Sequence, residues 1–272
     1  MPNNTLPLII EAEQLKQNLS NNNILLVDLS KPETYVQYHI PGAVYLDYSW
    51  IIRIEHPRMG LLPDPAQLTN VLSSLGLTAD THVVTYDDEG GGRACRFLWT
   101  LEAAGHKRFS LLNGGLTAWS NEGNEISSKI TYPTPGDFEV KMDFTGVATR
   151  QHIIDNLSNS DVVILDTRSP AEFNGTKVFA QRGGHIPGAV NFEWTQAMDK
   201  QRDLRLKSKA DLQAMLESQG VTPDKEIITH CQTHHRSAHT YIMLKSLGYE
   251  NIKGYPGSWS DWGNEPNTPI EH

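Results

Sequence analysis

The sequence predicts two homologous α/β domains, each a parallel sheet flanked by helices. The first observation behind this is a hexapeptide, HIPGAV, that occurs at His39–Val44 and again, unchanged, at His185–Val190. The second is that three further blocks recur in the same order, at an offset of about 140 residues. ILLVDLS with Asp28 matches VVILDTRS with Asp166, and HVVTYD ending at Asp87 matches EIITHC ending at Cys231. NGGLTAWSNEGNE, ending at Glu125, matches KGYPGSWSDWGNE, ending at Glu265. Ordered repetition at a fixed period marks a duplicated structural unit. The third observation is that short β-branched runs alternate with helical patterns, as strands joined by right-handed crossovers do.

The elements come in order within each copy. ILLVD and VVILD, then HVVTY and EIITH, are short runs with apolar residues at successive positions. Burial on both faces explains such runs, and it belongs to parallel sheets. DLQAMLESQG places Leu212, Met215 and Leu216 at helical spacing and closes on Gly220, a good C-cap. RSAHTYIMLKSLG, after Cys231, has helical character and closes on Gly248. Between the copies, SSKITYPTPGDFEV (Ser127–Val140) carries two prolines and a Pro-Gly pair without helical periodicity, and reads as a linker. The expected division is a domain over 1–126, a linker over 127–147 and a second domain over 148–272.

Composition narrows the function. The 272 residues and 38% hydrophobic content suffice for two cores, and a monomer is expected from two domains sharing an interface. A formal net charge of −9 argues against nucleic acid or an anionic membrane as partner, since either favours a basic face. A small anionic substrate remains open, because it answers to the local field of a pocket. Only Cys95 and Cys231 occur, too few for a disulfide framework, which favours a reducing cytoplasm. MPNNTLPLIIEAEQL lacks the basic start of a signal peptide, and no stretch approaches the roughly 20 apolar residues of a membrane helix.

The chemistry concentrates in ITHCQTHHRSAHTY, Ile228–Tyr241. Cys231 ends an apolar run and Arg236 begins a helical one, so the loop joins a strand end to a helix start. Ligands of open α/β sheets bind beyond such strand ends. Successive N–H groups there form an anion nest, aided by the positive end of the helix. A thiol in that position is favoured as thiolate, the nucleophilic form. Arg236 is placed to turn its guanidinium over the loop. A cysteine at a strand end is commonly buried and inert, but the polar run Gln232, Thr233, His234, His235, Arg236, Ser237 suits a site better than a core.

Two other chemistries compete for this loop. His230, His234, His235 and His239 crowd Cys231, and His235 with His239 share a helix face. No second cysteine accompanies them and His230 should point away from Cys231 along its strand, so no metal is expected. The histidines are read as shaping the pocket wall. Cysteine phosphatases place five residues between cysteine and arginine, whereas four separate Cys231 from Arg236. The shorter loop draws its amides inward and suits one sulfur atom rather than a phosphoryl group.

On these features the sequence resembles the rhodanese family, in its tandem-domain thiosulfate:cyanide sulfurtransferases. The resemblance rests on Asp28 and Asp166 after the first strands, the doubled HIPGAV, the strand-end Cys231 loop and GYPGSW. It implies two rhodanese domains with the active loop near the cleft between them. It also implies that Cys231 takes a sulfane sulfur from an anionic donor such as thiosulfate, holds it as a persulfide, and passes it to cyanide or a thiol acceptor, including a protein thiol, with no cofactor. The loop N–H groups from Gln232 through Thr233, His234 and His235 to Arg236 would hold the outer sulfur. CQTHHR has neither the basic residues common after the cysteine in thiosulfate enzymes nor the Gly-Ser of 3-mercaptopyruvate enzymes, which leaves both donors open. Arg236, then Arg168 or Arg182, are the cations expected to meet the donor. Arg182 lies in NGTKVFAQRGG, an insertion relative to the first copy, where plain exposure is the simpler expectation. Asp87, followed by Asp88 and Glu89, stands where the second copy has Cys231 and implies a catalytically silent first domain. Cys95, Asp28, Asp166, His39 and His185 are read as structural, while Trp194 and Trp259 suit cleft or core equally. An anion hydrolase or arsenate-reductase relative and a low-turnover sulfur carrier are the remaining alternatives.

Overall fold

The computed structural model describes residues 6–272, so the readings that involve residues 1–5, the start of the first domain and the lack of a basic leader, lie outside the described residues. The chain forms two compact units. Besides the described residues up to Ile51, the first includes Pro63–Asp143 and Asp199–Leu206. The second comprises Ile52–Leu62, Phe144–Met198 and Lys207–His272. A single cut near 127–147 does not express this, because each half of the sequence contributes one short segment to the other unit. Among the described residues, no helix is long and apolar enough to cross a membrane.

Both units are parallel sheets with one strand order. In the first, the strands run Ile9–Ile10, Phe109–Leu112, His82–Tyr86, Ile24–Asp28, Val44–Tyr45 across the sheet. In the second they run Ile252–Gly254, Glu226–His230, Val162–Asp166, Val190–Asn191. The place of Ile9–Ile10 is taken there by a single parallel bridge from Val147 to Gly254. Residues such as Ile10, Leu26, Val84, Leu112 and Trp119 fill one core, and Ile153, Ile164, Ile228, Trp259 and Trp262 the other. Full burial of each aliphatic side chain contributes about 1.5–3 kcal/mol. Register aligns the inner strand ends: Asp28 pairs with Tyr86, and Asp166 with His230. Asp87 and Cys231 therefore each take the first position beyond the carboxyl end of an inner strand.

The strand-end aspartates anchor turns. The buried Asp28 Oδ1 accepts from Ser30 N at 2.6 Å, and Asp166 Oδ1 from Arg168 N at 3.0 Å. HIPGAV does the same work twice. His39 stacks on Tyr35 at 4.0 Å and bonds Tyr35 O through Nδ1, while His185 stacks on Phe173 at 3.7 Å and bonds Phe173 O through Nδ1. The histidine backbones pair antiparallel with Ser127 and Glu271, tying each copy's last residues back onto it. Gly42 and Gly188 turn the motif with φ of +81° and +73°, the left-handed region that favours glycine. Residues 136–143 are also pinned to the first unit, through Gly136 N to Ser73 O and Asp143 N to Ala103 O, both at 2.8 Å.

Candidate active site

Cys231 sits where the strand Glu226–His230 hands over to the helix Arg236–Ser246. Its backbone is clamped from the GYPGSW block. Trp259 N donates to Cys231 O at 2.9 Å, Ser260 N to Gln232 O at 3.0 Å, and Cys231 N to Ser258 Oγ at 3.4 Å. A hairpin of Arg53–Glu55 and Arg58–Leu61 belongs to this same unit and lies against the loop. Gly60 makes that approach possible, since a Cβ there would overlap the Thr233 carbonyl and come 2.7 Å from Pro256 O. Met59 N adds a bond to Ser260 Oγ at 3.1 Å.

The thiol is buried, at 1% exposure, yet its neighbours are polar. Burial pushes the Cys231 pKa up. The Arg236 charge, the Ser237 hydroxyl and the inward amides of Ser237 and Thr233 outweigh it and bring the value down to about 7. Cys95 shows burial without such compensation: burial first, and then the Asp87 charge, push its thiol well up. One cysteine is thus poised as thiolate near neutrality and the other is inert.

Arg236 is itself held. Its Nη1 and Nη2 donate to Glu172 Oε2 and Oε1 at 2.7 and 2.8 Å, a bidentate pair. Glu172 is the third residue of the short helix Pro170–Phe173, and also accepts from the Ser169 hydroxyl at 2.8 Å. Burial raises the Glu172 pKa, but the Arg236 bonds and charge prevail and set it at about 2. The acid therefore stays ionised and orients the guanidinium, while Arg236, its own pKa raised, turns its charge on Cys231.

The loop residues expected at the site divide. Thr233 faces the sulfur through its amide. Gln232 reaches outward, its Nε2 donating to Phe179 O at 3.2 Å. His234 is fully buried, with Nδ1 2.8 Å from Ser237 Oγ. His235 and His239 lie against Trp194, with ring centroids 6.0 and 5.4 Å away. The expected cations of the preceding segments have their donors engaged by other groups. Arg182 donates into the carbonyls of Trp262, Glu265, Pro266 and Thr268, caging the C-terminal segment, so its guanidinium is engaged elsewhere. Arg168 is buried on Asp166 and Gly184 O, under Trp259 at 4.2 Å, which makes Trp259 core. His230 is buried on its strand, Nε2 3.5 Å from Asp166 Oδ2.

Glu172, which holds Arg236, and Gly60, against the Thr233 carbonyl, are contacts of the loop that residue pattern does not reveal, and Ser237, legible only as part of a polar run, proves to bond the Cys231 sulfur. The Ser169-to-Glu172 spacing is a legible capping-box signal, but it announces a helix start and not a partner for Arg236. Nothing in the pattern of residues 52–62 points to the second unit.

The first copy carries the same loop position with different chemistry. Leu116 N donates to Asp87 O at 3.0 Å, as Trp259 N does to Cys231 O. The buried Asp87 carboxylate accepts from the amides of Glu89 (3.0 Å), Gly91 (2.8 Å) and Ala94 (3.0 Å). Burial first, and Glu89 next, push its pKa up to about 6, against the pull of those amides. Five residues separate Asp87 from Arg93, one more than in the second copy, and Arg93 pairs with Asp88 and Glu89 at 3.2 and 3.3 Å. At the position of Glu172 stands Thr34, which donates to Asp88 at 2.8 Å.

The comparisons agree with this duplication. A thiosulfate sulfurtransferase of Azotobacter vinelandii is 47% identical over 98% of both chains. A sulfur carrier protein of Thermus thermophilus is 30% identical over 97% of this chain and 96% of its own. The anaerobic ergothioneine biosynthesis enzyme of Chlorobium limicola shares the fold, with a TM-score of 0.87 at 21% identity over 97% of this chain and 70% of that one. The family model for the rhodanese-like domain matches residues 11–122 and again 149–265, one match per copy, and the chain belongs to that family.

Proposed function

We infer that the chain is a sulfurtransferase in which Cys231 carries the transferred sulfur. The observation that carries this is the buried thiol with a pKa of about 7, held there by Arg236, the Ser237 hydroxyl and two inward amides. The donor is an anion such as thiosulfate, on which the 47% identical relative is named as acting. The Cys231 thiolate attacks the sulfane sulfur, a new S–S bond forms, and the donor's S–S bond breaks with its electron pair leaving on sulfite. A nucleophilic acceptor, cyanide or a thiol, then attacks the outer sulfur, and the pair of the broken bond returns to Sγ. This is covalent catalysis split into two easier steps.

Arg236 favours the thiolate and the approach of an anion, and the Thr233 amide and the rest of the nest receive the outer sulfur. In the first unit the Asp87 carboxylate fills the corresponding nest, and a carboxylate oxygen cannot carry a sulfane sulfur, so that copy is silent. The monomer is the proposed working form, with the cytoplasm as its proposed compartment. Mass spectrometry after incubation with thiosulfate should find one added sulfur on Cys231 and none in Cys231→Ser. A Cys231 that stays unmodified while still reacting with an alkylating agent would overturn the reading.

A second reading, a low-turnover sulfur carrier serving protein thiols, is favoured by the relative named as a sulfur carrier. A stable Cys231 persulfide with negligible steady-state transfer to cyanide would select it. Comparing thiosulfate with 3-mercaptopyruvate under the same conditions separates the two donors.

A further inference from the structure

We propose that Ser237 and His234 form a positioning relay for the sulfur: the His234 Nδ1–H donates to Ser237 Oγ, so that the single hydroxyl proton of Ser237 stays directed at Cys231. The proposal rests on the reading of Cys231 as the nucleophile. Ser237 Oγ lies 2.8 Å from His234 Nδ1, and both residues are fully buried, so water does not compete for either. A serine hydroxyl has one proton. If that proton goes to the sulfur, as the Ser237–Cys231 hydrogen bond requires, the histidine nitrogen must be the donor, and this holds for neutral and protonated imidazole alike.

The alternative for a serine in the first turn of a helix is to bond a carbonyl one turn back. For Ser237, second residue of the helix Arg236–Ser246, that is the direction of Thr233. An N–H from His234 occupies the oxygen's acceptor side and holds the rotor away from that choice. The backbone supports the assignment. His234 takes φ of +56°, a conformation that favours glycine, and the loop bears this cost while placing an imidazole there.

The consequence falls mainly on the second half of the reaction. In the persulfide the inner sulfur is close to neutral and the charge sits on the outer one. When the acceptor removes the outer sulfur, the electron pair returns to Sγ, and the Ser237 hydroxyl bonds that thiolate more strongly than it bonds the persulfide. A thiolate made more stable is a faster leaving group. Ser237 is thus a leaving-group stabiliser, and His234 the residue that positions it.

The test is a set of variants, S237A, S237T, H234F, H234N and S237A/H234F, read by the ultraviolet absorbance of the thiolate against pH. Single-turnover discharge of the persulfide to cyanide is the second readout. The titratable groups on the elements packed against the loop include Arg236 with its partner Glu172, His230 beside Asp166 and Arg168, His235 and His239 against Trp194, Arg58 on the hairpin, and Tyr255 with Asp261 at the GYPGSW block. All are retained in every variant. S237A should raise the Cys231 midpoint by about one unit, as loss of a hydrogen bond to a charged group implies, and slow discharge. S237T should restore both. H234F should move the midpoint the same way by about half as much, H234N, which keeps an N–H near the Nδ1 position, should stay close to wild type, and the double variant should match S237A. An unshifted midpoint in S237A, or effects of S237A and H234F that simply add, would overturn the relay. Should H234F not fold, H234L takes its place against H234N, and equal midpoints in those two would overturn the part assigned to the histidine. The titration uses no sulfur donor, so failure of the sulfurtransferase reading leaves it interpretable. A failed relay, conversely, leaves persulfide formation intact.

Discussion

Removing the positive charge beside Cys231 should return the thiol to the ordinary cysteine range. The Cys231 pKa stands at about 7 against an ordinary 9, a difference of two units, or about 3 kcal/mol in favour of the thiolate. Burial alone acts in the opposite direction, and Arg236 is the largest of the opposing influences. Arg236→Met alone would leave the 3% exposed Glu172 carboxylate without its cation, which costs about 3–5 kcal/mol. The informative variant is therefore Arg236→Met with Glu172→Gln, which removes both charges and keeps the packing volume. At pH 7 its thiolate fraction should fall from about one half to about 1%, roughly 50-fold. A more basic thiolate is a better nucleophile, by roughly eightfold over two units, so the alkylation rate at pH 7 should drop only about sixfold. The midpoint of the rate–pH curve is the quantity to read, and it should move from near 7 to 9 or above. A folded double variant whose midpoint stays near 7 would refute the role of Arg236 and leave the amides and Ser237 as sufficient.

Sulfur uptake from thiosulfate by the wild type should rise with pH through a single midpoint near 7, the value set for Cys231, and stopped-flow kinetics would check this. Glu172 has its pKa depressed from 4.5 to about 2, so the stability it confers is full above pH 4.5 and is lost as pH falls towards 2. The difference amounts to roughly 3 kcal/mol, and denaturant titrations should show a shallower acid loss in Glu172→Gln. Gly60→Ala should destabilise by about 1–3 kcal/mol and slow alkylation of Cys231, because the added methyl meets the Thr233 and Pro256 carbonyls; an unchanged melting temperature and rate would contradict this. Asp87→Ala leaves three inward amides without their acceptor and should lower the melting temperature of the first unit while Cys231 still takes up sulfur. Loss of sulfur uptake in that folded variant would show that the first copy does more than fill its own nest.

Much of the architecture was legible because it is written in local pattern and repetition. Runs such as VVILD and EIITH declare buried parallel strands by composition alone, and the doubled HIPGAV declares two copies. The strand-end place of Cys231, the reach of Arg236 from the next helix start and the carboxylate at Asp87 come from spacing along one chain. The partner of Arg236 did not, because Glu172 is 64 residues away and the pair exists only once two strand-end turns are set side by side. The partners of Arg168 and Arg182 are illegible for the same reason. A guanidinium looks available in sequence, and its donors are committed only by carbonyls and carboxylates that tertiary folding brings near.

The family, the duplication and the thiol at the strand end reside in residue identity and periodicity, and are readable before any fold is known. The electrostatic state of that thiol needed the folded chain. Its pKa depends on which charges and N–H groups stand within a few ångströms of a buried sulfur, and the exchange of short segments between the units, Gly60 among them, is part of how that surrounding is built.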